Sequence, residues 1–128
     1  MNVAFIVENQ DSKKFVLKDG LNFESVLCIY DTETHQIEWR SMKTIASDNL
    51  NMALSLFDMN VQRVVSTHLD DYLIQELNQN EITVYQAANN DLIDAIKRYN
   101  QHYLHEMDGR NMMVSRQHRH SMAFAEAF

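Results

Sequence analysis

Val61-Gln62-Arg63-Val64-Val65-Ser66-Thr67-His68-Leu69-Asp70-Asp71, then Leu73, Ile74 and Leu77, then Glu81-Ile82-Thr83-Val84-Tyr85-Gln86-Ala87, is the stretch that decides the fold. Val61 to Ser66 and Ile82 to Ala87 are short apolar runs, the pattern of buried strands. Between them the period becomes helical. Asp70 or Asp71 can cap that helix, Leu73, Ile74 and Leu77 form its core side, and Asn78-Gln79-Asn80 ends it. Strand, helix and strand in that order imply parallel strands joined by a right-handed crossover.

Working outward, the same alternation continues towards the C-terminus. Asn89 or Asn90 opens a further helix whose Leu92, Ile96, Tyr99 and Tyr103 share one stripe, and Gly109 is its stop. Towards the N-terminus, Ser47 or Asp48 caps a helix with Leu50, Ala53, Leu54 and Phe57 on one face. Before it lies a meander. Residues 2–7 and 23–30 read as strands apolar on both faces, and 36–42 alternates as the antiparallel partner of 23–30. A short extended segment is expected at Lys13 to Leu17, and Asp19-Gly20 is a turn. The element order is β-β-β-α-β-α-β-α, an α/β mixed sheet with 2–7, 61–66 and 81–86 parallel. From Asp108 the pattern dissolves, so residues 1–107 read as the domain and 108–128 as a mobile tail.

Composition bounds the rest. A chain of 128 residues is the size of one domain, and its formal net charge of -7 disfavours nucleic acid as a partner. The single cysteine, Cys28, excludes an intramolecular disulfide and a cysteine-only cluster site. Met1 to Val7 has no basic region and too short an apolar run for a signal peptide, and no stretch reaches the roughly 20 apolar residues of a membrane span. The expectation is a cytoplasmic protein without a membrane partner.

Val61 to Ser66, the helix ending in Leu77, and Glu81 to Ala87 resemble the dinitrogenase iron–molybdenum cofactor biosynthesis family. That family pairs two such strands across a helix. Val3–Val7, Leu27-Cys28-Ile29-Tyr30-Asp31 and the helix from Leu92 follow in the family's order, so the resemblance covers roughly residues 1–105. It implies an RNase-H-like three-layer fold with helices on both faces. It also implies an accessory protein that binds or carries a nitrogenase metal cluster, iron–sulfur or iron–molybdenum, or its precursor. The family's His-Phe-Gly segment has its counterpart near Gly20-Leu21-Asn22-Phe23, without the histidine, and the loop Ser66 to Asp71 lacks the family's glycines.

The candidate residues follow from position. Thr67 and His68 stand where a parallel strand ends and a helix begins, the edge at which open α/β sheets bind ligands. For an anion they would supply donors; for a cation His68 with Asp70 or Asp71 could be ligands, whereas the bland reading is a loop histidine beside a capping aspartate. Cys28 reads as a buried structural thiol. His102 and His105, three apart on the expected last helix, suggest half a metal site or a solvated face. His118-Arg119-His120 is a His-rich tract, and the apolar Met122 to Phe128 would need a surface to dock on. With no Walker, dinucleotide or nucleophile-elbow pattern, and no carboxylate on the first strand, the reading is a non-enzymatic binding or carrier domain. The alternative is a protein-interaction module on the same scaffold. The expected partners are a metal cluster or another protein.

Overall fold

The computed structural model describes residues 1–8, 15–46 and 51–107. Expectations that fall on 9–14, 47–50 and 108–128 lie outside the described residues. They include the Ser47 or Asp48 cap, Leu50, the stop at Gly109, the mobile tail, the His118-Arg119-His120 tract and the apolar end.

The described elements are β1 (Asn2–Val7), β2 (Val26–Asp31), β3 (Ile37–Ser41), α1 (Met42–Ile45), α2 (Met52–Asp58), β4 (Val61–Ser66), α3 (Asp71–Gln79), β5 (Thr83–Gln86), α4 (Leu92–Asn100) and β6 (His105–Met107). They form a mixed α/β arrangement around one six-stranded sheet of order β3-β2-β1-β4-β5-β6. β1, β4 and β5 are parallel, as the pattern predicts, while the β1–β2, β2–β3 and β5–β6 pairings are antiparallel.

Alternation along the strands sorts the core into two layers. Ala4, Ile6, Leu27, Ile29, Val64 and Val84 face one way and pack with Met42, Leu56, Ile74 and Leu77 from α1, α2 and α3. Val3, Phe5, Val7, Cys28, Tyr30 and Val65 face the other way and pack under Leu92, Ala95 and Tyr99 of α4. Among the described residues helices therefore cover both faces, three on one and one on the other.

Three expectations need correction. The stripe Ala53-Leu54-Phe57 is not the buried face of α2: Leu54 and Phe57 are exposed, and Ala53 and Leu56 are buried. Every α2 residue except Ser55 and Asp58 is apolar, so periodicity alone offers more than one stripe. The last helix is capped by Asp91, whose carboxylate accepts from the Ile93 and Asp94 amides, rather than by Asn89 or Asn90. It also ends earlier than the apolar stripe suggests. His102 takes the left-handed conformation at φ 62°. The amide of Tyr103 donates to the Arg98 carbonyl at 2.8 Å, and that of His102 to the Tyr99 carbonyl at 3.0 Å. That is a Schellman stop. Tyr103 is then 71% exposed, and His105 begins β6. His102 and His105 thus do not share a helix, and their helical spacing carries no metal chemistry.

Candidate functional site

The C-terminal ends of β1, β4 and β5 lie along one edge of the sheet. Beyond β4 the chain must leave the sheet, pass over this edge and enter α3. Asp70 caps α3, its Oδ1 accepting from the Leu73 amide at 2.8 Å. Ser66, the last residue of β4, is fully buried. Its hydroxyl can donate to the Lys18 carbonyl (3.2 Å) or the His68 carbonyl (3.1 Å) and accepts from the His68 amide (3.3 Å). The Gly20 amide donates to the His68 carbonyl at 2.8 Å, and Gln86 Nε2 to the Thr67 carbonyl at 3.2 Å. The Thr67 hydroxyl bonds the Asp19 carboxylate. Leu69 is fully buried and pins the loop to the core.

The loop backbone is thus tied to the 17–20 segment on one side and to β5 on the other. Its His68 side chain is exposed. Gly20 has φ +82°, a conformation that glycine adopts without strain. The structure places Thr67 and His68 at the sheet edge where the sequence puts them, half-buried and exposed respectively. It does not gather His68, Asp70 and Asp71 into a cage: among the described residues no three His, Cys, Asp or Glu side chains are grouped to hold a metal ion. One reason is that an Asp70 oxygen is aimed at the helix amide it caps.

A second feature of the same edge is absent from the sequence reading. Where β5 ends and β6 begins, Gln86, Ala87, Ala88, Tyr103, Leu104 and His105 line a cleft of about 310 Å³. Gln86 belongs both to this cleft and to the hydrogen bond that holds Thr67, so loop and cleft adjoin. The cleft exists because β6 folds back beside β5, pairing His105 with Gln86. The one signal for it was the position of His102, a residue type with raised left-handed occupancy.

Cys28 lies fully buried between β1 and β3, and burial pushes its thiol up to about 12. A thiol so buried is a poor nucleophile at neutral pH and packs as a small apolar group. The native thiol is expected to resist a disulfide reagent at neutral pH and to react once the chain unfolds. Cys28→Ala should lower unfolding free energy by about 1 kcal/mol. Rapid labelling in native buffer would contradict both statements.

No family model matches the chain. No curated protein matches it either. Solved structures do. An NMR structure of a candidate NifB protein from Thermotoga, of the DUF35 family, superimposes with TM-score 0.61 at 18% identity, over 82% of this chain and 91% of that one. The apo form of the orange protein from Desulfovibrio gigas gives TM-score 0.65 at 14% identity, over 83% and 92%. A candidate dinitrogenase from Methanocaldococcus jannaschii gives 0.58 at 12%, over 84% and 94%. At these identities the likeness is one of fold.

Proposed function

We propose that this chain is an RNase-H-like, non-catalytic binding or carrier domain that receives its cargo at the C-terminal edge of β1, β4 and β5. The observation that carries this reading is the Ser66–Asp70 loop: its main chain is tied down from both sides while the His68 imidazole stays exposed. A rigid mount for one exposed imidazole suits recognition, because little order is lost on binding. The cargo class is a metal cluster of iron–sulfur or iron–molybdenum type or its precursor, in keeping with fold neighbours named for nitrogenase proteins. His68 would supply a single nitrogen ligand, so the cluster must arrive preassembled with ligands of its own.

Charge shapes the choice. Asp19, Asp70 and Asp71 lie close to His68 along the chain or at the same loop, against Lys18, so an anion held by charge alone, such as phosphate, is disfavoured, and a cluster would be held by the His68 nitrogen replacing one of its exchangeable ligands rather than by charge attraction. The protein-interaction reading draws on a different surface, the apolar residues Phe15, Ile37 and Ile93, which are 59%, 43% and 52% exposed. The setting is a cytoplasmic protein without a nucleic-acid or membrane partner.

Anaerobic titration tests the reading. Wild type and His68→Ala are titrated with a soluble iron–sulfur cluster bearing exchangeable thiolates, with Zn²⁺, and with inorganic phosphate. Wild type is expected to bind the cluster at least about tenfold more tightly than the variant, a difference of ~1.4 kcal/mol. Phosphate should bind neither. Equal cluster binding by the two proteins would remove the loop from the functional account.

A further inference from the structure

The sheet register brings a second histidine to the edge that carries the Ser66–Asp70 loop. Ser66 is the partner of Gln86, and Gln86 is the partner of His105, so the three stand in one row across β4, β5 and β6. Partners in adjacent strands share a face of the sheet. Val64 pairs with Val84, and Val84 with Met107, all within the layer under α1, α2 and α3. Ser66, Gln86 and His105 are each two residues away from these, so they lie on that same face. A strand spacing of about 4.8 Å sets the His105 main chain roughly 10 Å from that of Ser66.

Gln86 stands between the two. Its Nε2 donates to the Thr67 carbonyl at 3.2 Å, which holds the loop toward β5. Gln86 and His105 also line the cleft of about 310 Å³, with Ala87, Ala88, Tyr103 and Leu104. His68 and His105 are both exposed, on either side of Gln86. The left-handed turn at His102 brings the chain back out of α4, and Gln86, Tyr85 and Val84 then pair with His105, Glu106 and Met107. Both histidines therefore stand on fixed backbone, one on a tied loop and one on a paired strand.

Taking the Ser66–Asp70 loop as the receiving site, the premise on which this rests, we propose that His105 is the cargo's second protein ligand and that the cargo sits across Gln86, between His68 and the cleft. Among the described residues no third His, Cys, Asp or Glu completes a metal cage, so a lone divalent ion would be held by two nitrogens only. A preassembled cluster keeps its other ligands and needs no third. Each imidazole displaces one terminal thiolate of such a cluster. The nitrogen lone pair forms an iron–nitrogen bond, the iron–sulfur bond breaks, and the thiolate leaves with its electron pair and takes a proton from solvent. No electron changes hands. Each exchange replaces an anionic ligand by a neutral one, which lowers the repulsion between cargo and a chain of net charge -7. Once one histidine is bound, the other meets the cluster at high effective concentration.

Thiolate release counts the anchors directly. The whole chain is titrated anaerobically with a soluble iron–sulfur cluster carrying chromogenic aromatic thiolates, and displaced thiolate is followed by absorbance. Wild type should release two equivalents per cluster bound, and His105→Gln one. His105→Gln should also weaken binding at least about tenfold. Glu106→Gln changes the next residue of β6, the partner of Tyr85 on the α4 face, and should behave as wild type. His105 is exposed, so the urea midpoint of His105→Gln should stay at the wild-type value. Release of one equivalent by wild type overturns the proposal. So does wild-type binding by His105→Gln when His68→Ala is weakened: the loop then remains the receiving site and the second anchor falls. An equal loss in Glu106→Gln would assign the effect to strand charge and overturn it as well. Equal binding by wild type and His68→Ala removes the loop, and the second anchor with it.

Discussion

Phe5→Ala is expected to lower the unfolding free energy by about 4 kcal/mol, a large share of the roughly 5–15 kcal/mol that holds a domain of this size. Phe5 lies on β1, which pairs with β2 on one side and β4 on the other, and it is fully buried. Its ring meets Tyr30 and Tyr99 edge to face, each with centroids 6.4 Å apart. Truncation removes the transfer free energy of a whole aromatic side chain, leaves a cavity, and deletes two edge-to-face contacts worth about 0.5–1.5 kcal/mol each. Strands on both sides hinder collapse into the void. Urea unfolding checks it: the midpoint should fall while the slope stays constant. Ile6→Val, one residue away on the other face, calibrates the measurement at about 1 kcal/mol. A Phe5→Ala loss as small as that of Ile6→Val would mean that the α4 layer is loosely packed.

The contrast between β1 and α4 shows what was legible in the sequence. β1 and the second half of β4 are buried on both sides, so their apolar runs could be read without knowing their neighbours. The start of α3 was legible too, because Asp70 acts on an amide three residues away. What escaped depends on distant or conformational partners. His102 ends α4 by entering left-handed space, and no periodicity records that. With the helix read as continuing, β6 and the cleft beside it could not be foreseen. The candidate loop lies between these cases. A topological rule places Thr67 and His68 at the ligand-binding edge. The bonds that hold the loop there, from Thr67 to Asp19 and from Ser66 to the Lys18 carbonyl, join residues 48 apart in the chain. A lone serine at a strand end carries no mark of them.

Arg63 is a further residue that pattern reading absorbed into a strand, and replacing it is expected to have the second large effect. It is half-buried on β4, with Nη1 donating to the Tyr99 hydroxyl at 2.7 Å. Its guanidinium lies 5.8 Å from the Tyr85 ring centroid and 5.7 Å from that of Tyr99. Tyr99 is in the last turn of α4, the negative end of the helix dipole, so the cation ties that end to the sheet. A hydrogen bond to a charged group contributes about 1.5–3 kcal/mol and partly desolvated cation–π contacts about 0.5–2. Arg63→Met keeps much of the apolar stem, so the net loss should be about 2 kcal/mol. Two readouts separate this from a general packing defect. A double-mutant cycle with Tyr99→Phe should return a coupling of about 1 kcal/mol. The Tyr99 phenol, raised by burial and drawn partly back by Arg63, should titrate higher still in Arg63→Met, as followed by NMR. Additive single effects, or a phenol that moves down, would show that Arg63 rests against the rings without holding them. α4 would then be anchored by Leu92 and Ala95 at its other end, and the path from α4 through His102 to β6 would owe nothing to the charge.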